Sequence, residues 1–523
     1  MVPRRSAQNL ARPRGGEVQS REATASPGCK GRKTAMEAIS SATAQADPIA
    51  LADDAALNLV AGLVCNAHKA ELETRLAAIH SEFTSEQQAG YPTLERNLRA
   101  WTQSHTRTED IEAVVALADR VRAAFRVLVV VGIGGSDLGA RTLHDALDHP
   151  FHNQLTPEER GGAPEIYFTG DTFDPKRLVG LLDLLQARGL LEHTCVNVVS
   201  KSGKTGETIA AALVIRERMI SAGMQDWARH FVATTGFTSD SVLFEMNRAT
   251  PFFGMLPVPE GVGGRFSFAS PVGLFPYAVT AATEAPRDRV TRALSGYEEA
   301  HRRFLLPWDH PQNVAYRLAR WWHLSEQYAR RSDMIFCNYA DDARLGDWFT
   351  QLYEESVQER GQGLNIIGTR GPTGNHSILN GILRGPHDKI VLFVRWNDLG
   401  APVIIPTGSQ IGGDLKFFEG LPMQAVQDAS CQATMDDYLA NGVPAASLTL
   451  GRRDGYHLFL LMRTLMDAVA VKGRLQNLAI NDHGVADPAA DLTYRQDGVE
   501  GYKAGTRANA QRMQAERNST HTA

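Results

Sequence analysis

Short runs rich in β-branched residues alternate with helical stretches through the middle of this chain. The runs are 127–131, 165–169, 195–199 and 231–234, and between them apolar residues recur at three- and four-residue spacing. Strands that alternate with helices are typical of a parallel sheet covered by helices. The sequence therefore predicts a doubly wound α/β fold for this region.

A second, weaker series of strand candidates follows at 334–337, 364–367 and 390–394, again separated by helical segments. Two α/β halves are the simplest architecture that accommodates both series. Residues 456–471 are apolar almost all round, which predicts a buried helix between or beneath the two sheets.

The two ends of the chain differ from its middle. Residues 1–35 hold eight Lys or Arg and two Glu, which predicts a disordered basic extension; it is either a functional arm or a stretch upstream of a true start at Met36. From Met36 to about Arg126 the pattern is helical, and after Lys472 it turns polar. The predicted division is an extension 1–35, a helical segment 36–126, α/β domains 127–285 and 286–475, and a C-terminal loop and helix 476–523.

Charge and cysteine usage exclude several classes of protein. The 523 residues carry 54 Lys plus Arg against 59 Asp plus Glu, so the net charge of -5 favours neither a nucleic acid nor an anionic membrane as partner. The apolar runs are shorter than the roughly 20 residues of a membrane-spanning helix. The cysteines lie far apart with no C-x-x-C pair, which indicates reduced thiols, no metal site and a cytoplasmic location: Cys29, Cys65, Cys195, Cys337 and Cys431.

The first candidate strand runs into a glycine-rich loop, 132–139, with the sequence Gly-Ile-Gly-Gly-Ser-Asp-Leu-Gly. A dinucleotide-binding G-x-G-x-x-G motif would need glycine at Asp137, so that motif is absent. The loop predicts a sugar or phosphate contact at Gly134, Gly135 and Ser136. The alternative is a tight strand-to-helix turn that binds nothing.

The strand candidate 195–199 leads into a loop whose Gly-Lys-Thr resembles the end of a Walker A motif. That motif would need glycine at Val198, inside the strand, so the loop is too short for a triphosphate. Hydroxyl groups and free backbone N–H groups at a helix start suit a single phosphate instead, and N-capping of the helix is the alternative. The candidate phosphate ligands are Ser200, Lys201, Ser202, Thr205 and Thr208.

Further candidates come from titratable residues downstream. Arg265 follows two glycines and offers a permanent cation for an oxyanion, or else a surface ion pair. Gln351 and Glu355 lie four residues apart and share a helix face, although a lone glutamate is more often solvated. His376 and His387 each lie near a flexible turn, and periodicity does not rank them. Lys503 is either catalytic or merely the start of the basic tail helix.

Taken together, these segments resemble the phosphoglucose isomerase family, which is built from two sugar-isomerase (SIS) domains. Residues 132–139 resemble its first sugar loop, 200–208 its phosphate loop, and 260–273 a family signature. The later motifs also keep the family's order, with Gln351 and Glu355, then 374–377, then Gln496 to Lys503. The resemblance spans roughly residues 50–510 and implies two SIS-type doubly wound parallel-sheet domains.

The resemblance also implies a mechanism and roles for single residues. Glu355 would move a proton between C2 and C1 of a hexose 6-phosphate, and Arg265 would stabilise the enediolate. His376 and Lys503 would open the sugar ring, and Gln351 and Gln496 would bind substrate. In the family the histidine comes from the partner subunit, so a homodimer is implied, with no metal or organic cofactor. The implied activity is the interconversion of glucose 6-phosphate and fructose 6-phosphate in glycolysis and gluconeogenesis.

Several positions depart from the family pattern. Lys204 and Gly206 replace small or hydroxyl residues, Arg495 stands where Asp is common, and 384–385 is Arg-Gly. An isomerase of another hexose phosphate, such as mannose 6-phosphate, is therefore one alternative. A non-catalytic SIS protein that binds sugar phosphates is a second, and a kinase that uses Gly203-Lys204-Thr205 is a weaker third.

Overall fold

The structure, a computed structural model, describes residues 47–400, 402–408, 413–481 and 483–521, and these residues belong to one compact unit. The predicted basic extension 1–35 and the first residues of the predicted helical segment lie outside the described residues.

Ten strands in the described ranges form two five-stranded sheets. They are β1 (Ile49–Ala52), β2 (Val127–Val131), β3 (Glu165–Thr169), β4 (Thr194–Val199), β5 (Phe231–Thr235), β6 (Gly254–Pro257), β7 (Asp333–Asn338), β8 (Asn365–Arg370), β9 (Lys389–Asp398) and β10 (Ala445–Arg452). All seven strands expected from the sequence are present, with ends that shift by a few residues.

The first sheet is entirely parallel, in the order β3-β2-β4-β5-β6. The chain runs outward from β2 to β3 and then crosses back to β4 on the other side of β2. Ligands of open α/β sheets bind beyond the carboxyl ends of the strands at such a reversal. The reversal lies between β2 and β4, and these are the strands that lead into the two glycine-rich loops.

The second sheet has the order β1-β10-β9-β7-β8, with β1 antiparallel and the other strands parallel. Strand β1 lies in the segment for which the sequence pattern indicates helix. Four residues are too few to show a period against the helical stretches that follow. The backbone of β10 supplies the pairing, with Ile49 opposite Leu450.

Sixteen helices of the described ranges connect and cover the sheets. They are α1 (Asp54–Ala61), α2 (Asn66–Ala89), α3 (Tyr91–Arg96), α4 (Thr108–Ala124), α5 (Leu138–Leu147), α6 (Pro175–Ala187), α7 (Gly206–Ser221), α8 (Val242–Ala249), α9 (Pro271–Val279), α10 (Pro286–Phe304), α11 (Val314–Gln327), α12 (Arg344–Val357), α13 (Leu379–Arg384), α14 (Met423–Ala440), α15 (Gly455–Leu475) and α16 (Glu500–His521). None of them is long and apolar enough to cross a membrane.

Helix α15 is the central buried helix that the sequence predicts, and every residue from Leu458 to Leu475 is buried. Its charged residues are tolerated there because they are paired. Arg463 Nε lies 2.9 Å from Asp467 Oδ2, one helical turn away. The apolar face of α15 joins both sheets and the N-terminal helices in one hydrophobic core, while smaller cores cover the outer faces of the two sheets. Apart from β1, the strands of the two sheets fall within the predicted α/β domains, whose boundaries stay a prediction.

Candidate active site

The loops that follow β2 and β4 lie side by side. In their parallel register Val131 is opposite Val198, and neighbouring strands are about 4.8 Å apart. A third loop, around Gly264, packs directly against the first: a Cβ on Gly135 would lie 2.1 Å from the carbonyl carbon of Gly264. Only glycine permits this approach, so the three glycine-rich segments of the sequence meet at one edge of the first sheet.

Gly134 in the first loop contacts the second half of the chain. It has a φ of +58°, and a Cβ there would lie 2.8 Å from Gln351 Nε2 on α12. Ser136 is partly buried beside it, and Ser267 Oγ donates to the Gly135 carbonyl at 3.2 Å. The loop is therefore a tight turn whose glycines admit a side chain and a backbone from distant parts of the sequence.

The second loop leaves a helix start with unused donors. Thr205 precedes helix α7, but its hydroxyl does not cap the helix and bonds to Ser200 Oγ at 2.9 Å. The buried Thr208 Oγ1 has no partner in the described part of the chain, while Lys201 and Ser202 are exposed. The Thr205 hydroxyl therefore does not N-cap helix α7. Uncapped N–H groups and free hydroxyls at a helix N-terminus suit an anion.

Lys201 turns toward the third loop. Its Nζ lies 3.4 Å from the Val262 carbonyl oxygen and 3.7 Å from Glu260 Oε2. Val262 is three residues before Arg265, so the ammonium group joins the second loop, residues 200–208 (the anion loop), to the segment that carries Arg265.

Arg265 is 2% exposed and contacts three different segments. Its Nε donates to Ser356 Oγ at 2.7 Å, and its Nη2 donates to the carbonyls of Thr493 and Arg495 at 2.6 and 3.0 Å. Its Nη1 lies 3.4 Å from Glu355 Oε2, the longest of these contacts. Burial lowers the pKa of Arg265 to about 10, while Glu355 raises it, so the guanidinium stays charged at neutral pH. Nη1 makes this one hydrogen bond with the described residues, so one of its two N–H groups has no partner among them.

Glu355 lies at the centre of this arrangement. Besides the Arg265 contact, its Oε1 accepts from Gln351 Nε2 at 3.1 Å and its Oε2 accepts from Gln496 Nε2 at 2.7 Å. The side chain is 28% exposed, so the carboxylate is held by three donors yet open to a ligand. A carboxylate fixed in this way beside a cation can accept a proton from a bound molecule.

Lys503 and His376 are not in direct contact with this cluster. Lys503 is exposed, and its Nζ lies 3.1 Å from Glu500 Oε1. Its neighbour Tyr502, however, donates to Glu207 Oε1 in the first turn of α7 at 3.2 Å, which places the start of α16 beside the anion loop. His376 is exposed on a turn after β8, and its side chain has no hydrogen bond or ion pair in the described ranges.

Sequence reasoning missed the buried polar groups that hold the 491–496 segment in place. Asp491 pairs with Arg474 and accepts from the backbone N–H of Thr493 at 2.9 Å. The Tyr494 hydroxyl accepts from Arg99 Nη1 at 2.8 Å. These partners are separated by up to several hundred residues, so no local pattern signals them.

The described residues include no group of three or more His, Cys, Asp or Glu that could hold a metal ion. The chemistry available at the cluster is proton transfer and charge stabilisation by Glu355, Arg265 and the amides of Gln351 and Gln496.

The sequence matches the family Phosphoglucose isomerase over residues 105–365. Glucose-6-phosphate isomerase of Rubrobacter xylanophilus is 35% identical over 76% of this chain and 88% of its own length, and that of Symbiobacterium thermophilum is 30% identical over 76% and 82%.

Among solved structures, a hypothetical protein of Thermus thermophilus is 25% identical with a TM-score of 0.72, covering 88% of this chain and 99% of its own. A glucose-6-phosphate isomerase of Chlamydia trachomatis shares the fold, with a TM-score of 0.66 at 20% identity over 88% and 87% of the two chains. The chain belongs to the phosphoglucose isomerase family.

Proposed function

We propose that this chain interconverts glucose 6-phosphate and fructose 6-phosphate, as a glucose-6-phosphate isomerase of glycolysis and gluconeogenesis. The observation that carries the proposal is the position of Glu355. Its carboxylate is held by Arg265, Gln351 and Gln496 next to the edge where an anion-binding loop and two further glycine-rich loops meet. One pocket can therefore anchor a monophosphate and remove a proton from the same molecule.

In the proposed reaction the phosphate binds Ser200, Lys201, Ser202, Thr205 and Thr208. His376 and Lys503 move protons at the ring oxygen and its hydroxyl, which opens the ring to the free aldehyde. Glu355 then takes the proton from C2 and returns it to C1, and the free N–H of Arg265 Nη1 stabilises the negative oxygen of the enediolate between these steps. No redox cofactor is needed, because the oxidation of C2 is balanced by the reduction of C1.

The test is a coupled dehydrogenase assay that follows formation of glucose 6-phosphate from fructose 6-phosphate in buffer with a chelator. Mannose 6-phosphate and other hexose 6-phosphates are assayed in parallel, because Lys204 and Arg495 alter the surroundings of the pocket. Turnover restricted to another hexose phosphate would replace the substrate assignment. Binding of hexose phosphates without turnover of any would favour a non-catalytic sugar-phosphate-binding protein.

A homodimer with shared sites is part of the proposal, and an exposed apolar surface supports it. The segment from the end of β9 to the first residue of α14 exposes five apolar side chains, each at least 42% accessible: Val403, Ile404, Phe417, Leu421 and Met423. The helix that follows contacts the turn of His376, since Gln427 Nε2 donates to the Gly371 carbonyl at 3.1 Å. A second copy that covers this surface would lie next to His376.

Mixed dimers test that arrangement. Glu355→Gln and His376→Ala chains are each expected to be nearly inactive, but a dimer of one of each contains one intact site if the histidine acts across the interface. Random mixing would then restore about a quarter of wild-type activity. If each histidine serves its own chain, mixing restores nothing.

A cytoplasmic location also belongs to the proposal, supported by the scattered cysteines.

A further inference from the structure

A polar cavity of about 330 Å³ shares no lining residue with the cluster around Glu355. It is bounded by the C-terminal ends of α11 and α15 and by the first turns of α2, and its lining includes Glu71, Arg75, His323, Gln327, Gln362 and Gln476. Gln327 and Gln362 precede the amino ends of β7 and β8.

Two buried side chains of this cavity lack hydrogen-bond partners. Gln476 is 3% exposed, and neither its Oε1 nor its Nε2 has a partner in the described part of the chain. His323 is 6% exposed, and its Nδ1 is likewise unpaired. Buried polar atoms are nearly always hydrogen-bonded, because an unpaired one costs about 1–3 kcal/mol. Both side chains line the cavity, so a molecule bound there can supply the missing partners.

The lining of the polar cavity carries one arginine, Arg75, and one carboxylate, Glu71. Arg75 forms no ion pair with a described residue, and it donates only to the Leu475 carbonyl and to Asn477 Oδ1, at 2.5 and 3.1 Å. Burial, together with the positive charges of Lys472 and Arg75, lowers the pKa of His323 to about 3, so its imidazole is neutral. The cavity thus offers a cation, a neutral imidazole and several amides.

We propose that the polar cavity is a second binding site, for a small hydroxylated oxyanion such as a phosphorylated or carboxylated polyol. Arg75 binds the anionic group, and the amides of Gln476 and Gln362 with the imidazole of His323 bind its hydroxyl groups. A guanidinium with free N–H groups suits both phosphate and carboxylate oxygens, and the cavity is within the size range of small-molecule sites. The inference is independent of the proposed isomerase activity.

The test is calorimetric titration of the full chain with glycerol 3-phosphate and, separately, with malate, which distinguishes a phosphate from a carboxylate. The titrations use a Lys201→Ala background, in which the anion loop at the active site is weakened. One molecule per chain should bind. Arg75→Gln should weaken this binding by about tenfold or more, because a charge-assisted contact is lost. Arg320→Gln is the matched control: this arginine lies on α11 and pairs with Glu73, 3.7 Å away, and its loss should change binding by less than about twofold.

Gln476→Leu is the second variant, and its melting temperature establishes that it folds. It should weaken binding of both probes, since it removes the buried amide without a change of charge. Binding of neither probe below about 10 mM would overturn the proposal, as would binding that survives both Arg75→Gln and Gln476→Leu. Isomerase activity is not part of the readout, so failure here leaves the active-site assignment untouched.

Discussion

Replacement of Arg265 by lysine tests whether one side chain both holds the active site together and takes part in its chemistry. The guanidinium reaches Ser356 through Nε, the carbonyls of Thr493 and Arg495 through Nη2, and Glu355 through Nη1. Lysine keeps the positive charge but concentrates its donors on one nitrogen. It cannot reach helix α12 and the 493–496 segment from three directions at once.

The size of the effect follows from these contacts. At least one buried acceptor loses its donor, which costs about 1–3 kcal/mol, and hydrogen bonds to a charged donor contribute about 1.5–3 kcal/mol each. We expect Arg265→Lys to lower the free energy of unfolding by about 3–5 kcal/mol, a large part of the usual 5–15 kcal/mol of a protein domain. The value of kcat should fall by about a hundredfold or more, because the enediolate loses a positioned donor.

Urea unfolding and initial rates of isomerisation measure the two effects on the same samples. Arg122→Lys is the matched control, because the Arg122 guanidinium likewise joins separate segments: it donates to the carbonyls of Val279, Ala281 and Gly161 at 2.8, 2.6 and 3.2 Å. It should lose stability but keep kcat within about twofold. If kcat of Arg265→Lys also stays within that range, the guanidinium has no part in the chemistry.

Two further predictions concern the first two loops. Lys201→Ala should raise KM by about tenfold with little change in kcat, since a phosphate contact is lost equally in ground and transition states; a fall in kcat alone would contradict the anion-loop assignment. Burial raises the pKa of Asp137 to about 7 despite its pairing with Arg141, so stability that is present below pH 4 is lost as the pH rises through 7. The free energy of unfolding of Asp137→Asn should therefore depend less on pH between 4 and 8 than that of wild type. Chemical denaturation measures both, and parallel plots of the two free energies against pH would contradict the prediction.

Most of the inner strands were predictable from the sequence, and so were the edge strands β3 and β8, but the edge strands β1 and β6 were not. β2 and β4 are buried on both faces, so their sequences are continuous apolar runs that stand out from the neighbouring helices. β6 holds a glycine and a proline, and β1 is four residues long within a helical segment. Such strands exist because a neighbouring strand offers an edge, which no local pattern records. The apolar β10 was missed although it is largely buried.

The candidate site likewise contains residues that a local sequence pattern signals and residues that it does not. Glycine-rich loops are local signals, and the structure brings Gly134, Gly135, Arg265, Gln351 and Glu355 together. The buried groups that fix the C-terminal segment are distant in sequence and became visible only in the fold. The roles of His376 and Lys503 stay predictions, because their ring-opening task requires a partner chain or a substrate.

The most direct test of the account is proton exchange at C2 of glucose 6-phosphate in D2O by the Glu355→Gln variant, followed by NMR. The amide preserves the size of the side chain but cannot take up the proton. We expect exchange to fall at least about a hundredfold while substrate affinity changes by less than about threefold. Glu354→Gln is the control, and it should exchange the proton like wild type. Glu354 Oε1 accepts a hydrogen bond from the Ile366 N–H at 2.9 Å, and the side-chain carbonyl of the glutamine can still accept it. Wild-type exchange by Glu355→Gln would show that the base lies elsewhere.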